Sequence, residues 1–526
     1  MVIYNVLSTF SKSNNNTTLW KIIISTILSK WNSKLVRNNK SFPPCPKSWP
    51  IIGILPQIFT KNKSSFVYWI HKTMEEMNTE IACIYVGNVH VIPVTSPELA
   101  CEFLKIQDSV FSSRPICMSA KLISNNYLTS VFLPIGDQWM KMRKILASHV
   151  LSPSSLQWLR PKRDEAIDDL VEFVYKQCIN QQFINLRKVT RCYCGNAIRN
   201  MVYNKRSLFA SREEDEQQVD ALFTLLKYLH CFGISDYLPW LSMFDLDGHK
   251  AIIKKAYDIA TKQIDIEVDH RIQIWKDGYK NLEQDILDVF IMLKDDNGNP
   301  LMNAKEIKAQ VLELMLATVD NPSNAVEWTL AEMLNQPKLM QKAIKELDDV
   351  VGMNRLVQES DLPRLNYIKA CIKEAFRLHP ISPFNVPHVS VSDTIIGEKH
   401  FIPKGSIVLL SRLGLGRNPR VWKNPLKFKP ERHLKKKKKD DGEVVLTDSK
   451  LRLLSFSIGR RGCPAVKLGS TITTMLLARL LQGFTWSLPP NSSSNDLLES
   501  SKVDHFCTLP LLAQAKPRLA NNMYHF

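Results

Sequence analysis

Apolar side chains recur at every third or fourth position over 304–335, at Leu312, Leu316, Val319, Val326, Leu330 and Met333, and this spacing predicts one long helix. Ser323 is the polar member of that series, and Ala317, Asp320, Asn321 and Asn324 run beside it as a strip of small or polar side chains. Pro322 falls inside the pattern, where it cannot donate to the carbonyl of Thr318, so a bend is expected. The periodicity nevertheless resumes through Val326, Trp328 and Leu330. A second amphipathic stretch runs from Leu365 to Leu378 and is stopped by Pro380. Residues 81–95 read as a β-hairpin with Gly87-Asn88 at its turn. The middle of the chain, 155–305, is helix-rich, and an apolar helix is expected from Pro464 onward. The pattern is that of a mainly α fold with small β-sheets.

The chain has 526 residues, a length that by itself allows three or four domains. No Gly/Ser-rich linker or repeat divides it between about residues 42 and 520, so one large domain over 42–526 is expected. Two apolar patches, Met1–Phe10 and Leu19–Trp31, precede it. The second is about 13 residues, roughly 20 Å as a helix, which is short for a bilayer core of about 30 Å. Residues 1–41 are therefore expected to be a weak membrane anchor or interfacial segment with a basic linker. Lys30, Lys34, Arg37 and Lys40 follow the apolar patch, an arrangement that keeps what comes next on the cytosolic side. Pro43-Pro44-Cys45-Pro46 and Trp49-Pro50 then make a stiff connector. Eleven cysteines, without CxxC spacing, argue against zinc and a disulfide framework. The net charge of +18 fits a membrane surface or an acidic partner. No nucleic-acid-binding signature accompanies it, and nucleic acid is excluded as a partner. The run Lys435–Lys439 reads as a solvated loop, and the aromatic segment Phe232–Leu241 as core or as the wall of a channel.

The densest chemistry lies at Phe456-Ser-Ile-Gly459-Arg-Arg461-Gly-Cys463-Pro464-Ala465. A doubly basic, Gly-rich loop brings one cysteine to the start of a helix, where free N–H groups and the positive dipole end stabilise a thiolate. Such a sulfur can be the axial ligand of a haem iron. Trp139 and Arg143 sit four apart on one helical face and are both donors suited to a carboxylate. Glu374 and Arg377 likewise share a face, with Arg432 further on. Taken singly, each has a plain structural reading: a buried cysteine, a surface arginine beside a packed indole, a solvated ion pair.

Together these motifs resemble the cytochrome P450 superfamily of haem-thiolate monooxygenases, over nearly everything from Pro43 onward. The resemblance implies the cytochrome P450 fold, with haem b between a long distal helix and the Cys463 loop. By that resemblance Cys463 ligates the iron and Phe456 packs beside the sulfur. Arg461, Trp139, Arg143 and His388 would hold propionates, and Glu374, Arg377 and Arg432 form a structural lock. Ala465 stands where the family usually has Gly. On the distal helix, Ala317-Thr-Val-Asp320-Asn321-Pro322 keeps the family's acid but replaces its usual hydroxyl by Asn-Pro. This departure, continued to Trp328, resembles the plant amino-acid N-monooxygenases that make aldoximes. It implies an L-amino acid and O2 as substrates, and electrons from NADPH through NADPH-cytochrome P450 reductase. It also implies an endoplasmic reticulum membrane location with the catalytic domain facing the cytosol, and products feeding cyanogenic glucosides, glucosinolates or volatile nitriles. Asp320, Asn321 and a water at the Pro322 break are the expected proton relay. Ala317-Thr-Val-Asp, Thr224–Tyr228 and Cys463-Pro favour valine or isoleucine, with phenylalanine next, and Ile135 replaces a usual aromatic. A C-hydroxylating enzyme of specialised metabolism and an inactive haem-binding remnant are the alternatives.

Overall fold

Ile84–Val86 (β1) and Val89–Val94 (β2) form the expected hairpin, and Gly87 takes the left-handed φ of +57° that its turn requires. The computed structural model describes residues 41–49, 52–55, 66–206, 213–229, 233–237, 245–434, 442–490 and 510–526. The expected anchor, apart from Ser41, lies outside these residues, as do the lysine run and half of the 232–241 segment. Among the described residues no helix is long and apolar enough to cross a membrane.

The other strands are Ile184–Asn185 (β3), His388–Val389 (β4), Thr394–Ile396 (β5), His400–Ile402 (β6), Ile407–Leu410 (β7), Phe484–Ser487 (β8) and Leu512–Pro517 (β9). They make a four-stranded sheet in the order β1-β2-β7-β4, a three-stranded sheet β3-β9-β8 and a β5-β6 pair. In the first sheet β2 and β7 run parallel, with Val91 opposite Ile407 and Val94 opposite Leu410, and β4 joins antiparallel. The chain before β1 is tied to this sheet and to the β5-β6 pair: the Cys83 amide, next to β1, donates to the Pro44 carbonyl of the proline connector (2.9 Å), and the Phe401 amide of β6 donates to that of Ser41 (2.9 Å).

The helices that matter for the site are Asp137–Ile145 (α1), Arg160–Ile179 (α2), Leu186–Tyr203 (α3), His249–Lys276 (α4), Ala304–Asn335 (α5), Pro337–Val350 (α6), Asn366–Leu378 (α7) and Val466–Gly483 (α8). Helix α5 covers the whole predicted stretch. A capping box starts it: Asn303 Oδ1 accepts the Glu306 amide (3.0 Å) and the Glu306 carboxylate accepts the Asn303 amide (2.9 Å). It runs unbroken across Pro322, because α3, α4, α7 and α8 pack around it and bury most of its length. Burial on several sides outweighs the one hydrogen bond that the proline removes. Its apolar series joins the main core with residues from α2, α3 and α8.

Candidate active site

The cysteine loop is folded onto itself by two backbone bonds, Cys463 N–H to the Phe456 carbonyl and Gly462 N–H to that of Gly459, both 2.9 Å. Gly459 has φ +76°, and a Cβ there would come within 2.5 Å of the Leu104 carbonyl oxygen. Only glycine fits. Asp108 secures the loop from outside, accepting the Arg460 amide (3.1 Å) and guanidinium (3.0 Å). Phe456 lies edge-on to Phe376, with ring centres 5.9 Å apart, and against Gly469 of α8.

One sequence expectation is corrected here. Cys463 and Pro464 are not in the first helical turn; α8 begins at Val466, with Ala465 as its N-cap. A residue before proline is pushed towards extended geometry, so Cys463 stays outside the helix and two more residues are needed to turn into it. The sulfur still meets the helix start, through a hydrogen bond from the Ala465 backbone. Burial pushes the Cys463 thiol up, while that bond and the nearby Arg143 and Arg412 guanidiniums favour the thiolate.

Around this loop the structure gathers buried and half-buried cations. Arg461 stacks over the Trp139 ring (4.5 Å to its centre) and donates to the carbonyls of Ser112 (2.5 Å) and Leu133 (2.7 Å). Arg143, one turn along α1 from Trp139, donates to the Gly462 carbonyl at 2.7 Å. His388 is buried, and its Nδ1–H donates to the Phe111 carbonyl (2.8 Å), leaving Nε2 as an acceptor. Burial, reinforced by Arg114 and Arg461, holds this histidine down at about 3, so it is neutral.

Two further cations were not singled out from the sequence. Arg114 is buried and donates to the carbonyls of Val131, Val386 and Pro387. Arg412, just past the end of β7, donates to Asn385 Oδ1 at 3.1 Å. Neither sits at a periodic spacing from a recognised partner; Ser113-Arg114-Pro115 and Ser411-Arg412 read as ordinary turns. Burial lowers all four guanidiniums, Arg461 and Arg412 to about 10. The carboxylate whose field reaches Arg143 and Arg461 is that of Glu313, already engaged by Ser130 and Val131. Buried charge without a counter-charge is costly, so this cluster calls for an anionic group. Haem fits that demand: two propionates for the cations, a sulfur for the iron, and the Phe456 ring alongside.

Helix α5 faces this cluster. Glu313 binds the 130–131 segment that Arg461 also touches, which fixes the direction of that helical face. Ala317 and Asn321 follow at four-residue steps on the same face. Both are exposed although the helix is otherwise largely buried, so open space lies beside them. Asn321 Nδ2 donates to the Ala317 carbonyl at 3.1 Å. Asp320 leaves the helix on a neighbouring face, accepts from Asn324 Nδ2 (2.6 Å) and lies in the field of Arg191 on α3. Burial pushes its carboxyl up, and Arg191 opposes this. The Asp320 and Asn321 side chains thus do not meet. Next to Pro322, the Ser323 hydroxyl donates to the Val319 and Asp320 carbonyls, both at 2.9 Å.

Below the loop, Glu374 and Arg377 form a bidentate pair, both bonds 2.8 Å, with neither side chain accessible. Arg432 Nε adds a bond of 2.9 Å to Glu374, and His433, not anticipated, adds one of 2.7 Å. Arg377 also donates to the carbonyls of Gly416 (2.5 Å) and Pro425 (2.7 Å). A Cβ on Gly416 would lie 2.1 Å from the Arg377 carbonyl oxygen, so the two segments touch backbone to backbone.

A lone thiol at a helix start, a ring of buried cations and a facing helix with an open strip are the parts of a haem-thiolate oxygenase. The chain matches the cytochrome P450 family model over residues 43–517, and it belongs to that family, whose members carry haem b and draw NADPH electrons through a reductase. It is 52% identical to a tryptophan N-monooxygenase of Prunus mume, over 92% of this chain and 91% of that protein. It is 49% identical to isoleucine N-monooxygenase 1 of Lotus japonicus, over 97% and 96%. The phenylalanine N-monooxygenase of Arabidopsis thaliana is 51% identical, over 92% and 93%.

Proposed function

We propose that this enzyme converts an L-amino acid, valine or isoleucine in preference, to its aldoxime by two N-hydroxylations followed by loss of CO2 and water. The observation that carries the reading is Asp320-Asn321-Pro322 on α5, with Asn321 exposed on an otherwise largely buried helix, in a chain about half identical to N-monooxygenases throughout its length. Haem held by the Cys463 thiolate supplies the oxygen activation. Arg114, Arg143 and Arg461 would neutralise the propionates, and the Trp139 indole N–H would donate a hydrogen bond to one of them. His388, neutral and bonded through Nδ1, orients Asn385 and the adjoining strand rather than adding a charge. Asn321 commits Nδ2 to the helix, which leaves Oδ1 to accept from water in the open strip. Asp320, its carboxyl raised by burial, passes protons from the α3 side. Two different faces then need a water between them, where Pro322 has freed the Thr318 carbonyl.

Haem would take up electrons one at a time while NADPH gives them in pairs, and NADPH-cytochrome P450 reductase at the endoplasmic reticulum membrane is the proposed intermediary. The basic segment after the apolar N-terminal patch supports attachment there, with the catalytic domain in the cytosol. The test is incubation of the membrane-bound enzyme with reductase, NADPH and each of valine, isoleucine, phenylalanine, tyrosine, tryptophan and methionine. Aldoxime from valine or isoleucine in preference to the rest is expected, and the absence of aldoxime from all six would defeat the reading. Aldoxime mainly from phenylalanine would establish the second reading, which the relatedness to phenylalanine N-monooxygenases favours.

A further inference from the structure

We propose that Cys45 and Cys83 are a dithiol pair that closes to a reversible disulfide, fastening the proline connector to the edge of the β1-β2 hairpin. The inference is independent of which substrate the enzyme takes. Both residues are free thiols in this structure, on segments far apart in sequence.

The backbone sets the two opposite one another. The Ala82 amide donates to the Pro93 carbonyl of β2 (3.2 Å), and the next amide, that of Cys83, turns outward to the Pro44 carbonyl (2.9 Å). Cys45 completes that same peptide unit. One such bond sets neighbouring segments about 4.8 Å apart. A disulfide can span this, since it needs α-carbons about 4.4–6.8 Å apart. The side chains also meet: the two thiols share a hydrogen bond, and Cys45 Sγ donates to the Pro43 carbonyl at 3.1 Å. Contacts on either side hold the connector in place. Phe42 stacks on His90 of β2 (5.7 Å between ring centres) and lies edge-on to Phe401 (5.6 Å), while the Ile54 amide donates to the Tyr85 carbonyl (2.9 Å). With the backbone held on both sides of the pair, closing the bridge is a matter of side-chain rotation.

The two thiols are unequal, which suits exchange chemistry. Cys45 is exposed, whereas Cys83 is inaccessible and belongs to the core under the hairpin with Ile81, Ile92 and Val94. The hydrogen bond from Cys83 favours the Cys45 thiolate against burial, and the same bond together with burial raises the Cys83 thiol. Cys45 is thus the attacking group and Cys83 the resolving one. In the first step the Cys45 thiolate attacks a small disulfide, of which glutathione disulfide is the cellular representative. An S–S bond to Cys45 forms, the S–S bond of the oxidant breaks, and one glutathione leaves. In the second step the Cys83 sulfur attacks the Cys45 sulfur and expels the other glutathione. Two electrons pass from the protein to the oxidant, and the protons of both cysteines end on the two glutathione thiols. A reducing glutathione pool keeps the pair open, and an oxidising shift closes it. Closed, it makes covalent the attachment that one backbone hydrogen bond provides at Pro44.

The test equilibrates the full-length haem-loaded enzyme with mixtures of reduced and oxidised glutathione. The samples are quenched in acid, remaining thiols are alkylated in denaturant, and the digest is mapped by mass spectrometry. One linked peptide pair is expected, Cys45 with Cys83, growing as the oxidised form replaces the reduced and disappearing with dithiothreitol. Cys83→Ser should leave Cys45 carrying glutathione, and Cys45→Ser should leave Cys83 fully alkylated. Trypsin cleavage of the native enzyme after the exposed Lys47 should slow about fivefold or more on oxidation, because the bridge restrains local opening of the connector. Wild-type Cys45 carrying glutathione while Cys83 remains alkylated would overturn the proposal. So would Cys45 linked to any other cysteine, or both residues alkylated at every ratio. Unchanged cleavage in fully linked protein would overturn the fastening. The wild-type map decides the pairing even if the Cys83 variant fails to fold.

Discussion

Glu374 shows how much one inaccessible carboxylate can hold. Burial works against its charge, but the hydrogen bonds from Arg377 and His433 outweigh this and bring it down to about 2. In an unfolded chain the same group titrates near about 4.3. Its folded value is depressed, so its contribution is fully present above about pH 4.3 and is lost as pH falls towards 2. A shift of that size corresponds to about 3 kcal/mol at neutral pH. Glu374→Gln should therefore destabilise the protein by about 3–5 kcal/mol at pH 7, since Arg377 is left buried and unpaired. Urea unfolding followed at a series of pH values should show the gap to wild type closing below about pH 4.3; a gap independent of pH would count against the assignment. The same residue scale explains Gly459 and Gly416, where backbone approaches within 2.5 Å and 2.1 Å of a hypothetical Cβ leave no room for a side chain.

At the scale of elements, α5 does two jobs with adjacent faces. One carries Glu313, which holds the 130–131 segment that Arg461 also touches, and the exposed Ala317 and Asn321; the next turns Asp320 towards Asn324 and Arg191. The helix tolerates Pro322 because Ser323 supports the neighbouring carbonyls and the packing around it is extensive. If Asp320 passes protons to the open strip, Asp320→Ala should keep haem and substrate binding but release consumed oxygen as peroxide or water instead of aldoxime. The measurement is the ratio of aldoxime formed to NADPH oxidised, expected to fall about tenfold or more, in the range of lost general acid–base assistance. An unchanged ratio would remove Asp320 from the relay.

Over the whole molecule, the helical core and the β1-β2-β7-β4 sheet bring five distant segments to one place: 111–114, 139–143, 313–321, 385–412 and 456–463. The Glu374 network pins the 416–432 segment beneath them. The net charge of +18 surrounds this assembly with a positive field. If an acidic reductase is drawn to that field, reduction of the haem should slow as ionic strength rises from about 0.01 M to about 0.1 M, where the screening length shrinks from about 30 Å to about 10 Å. Stopped-flow formation of the reduced, carbon-monoxide-bound species would show it, and a rate independent of salt would exclude electrostatic docking.

Much of this was written locally. The hairpin at 84–94, the full length of α5, the α7 helix with Glu374 and Arg377 on one face, and the cysteine loop with its glycine all follow from near-neighbour rules: periodicity, proline, and the left-handed turn. Residues at three- and four-residue steps share a helical face, so the Glu374–Arg377 pair and the common face of Trp139 and Arg143 were legible. What only the tertiary structure decided is which lone polar residues converge. Arg114 and Arg412 carry no spacing that marks them, and they become part of the site because β4 and β7 lie side by side near the loop. His433 joins Glu374 for the same reason. Asp320 and Asn321 are neighbours in sequence, yet the 100° step of the helix sends them to different surroundings. Chemical potential for haem binding lay in the chain; the count and placement of charges around it came from long-range packing, which no local pattern encodes.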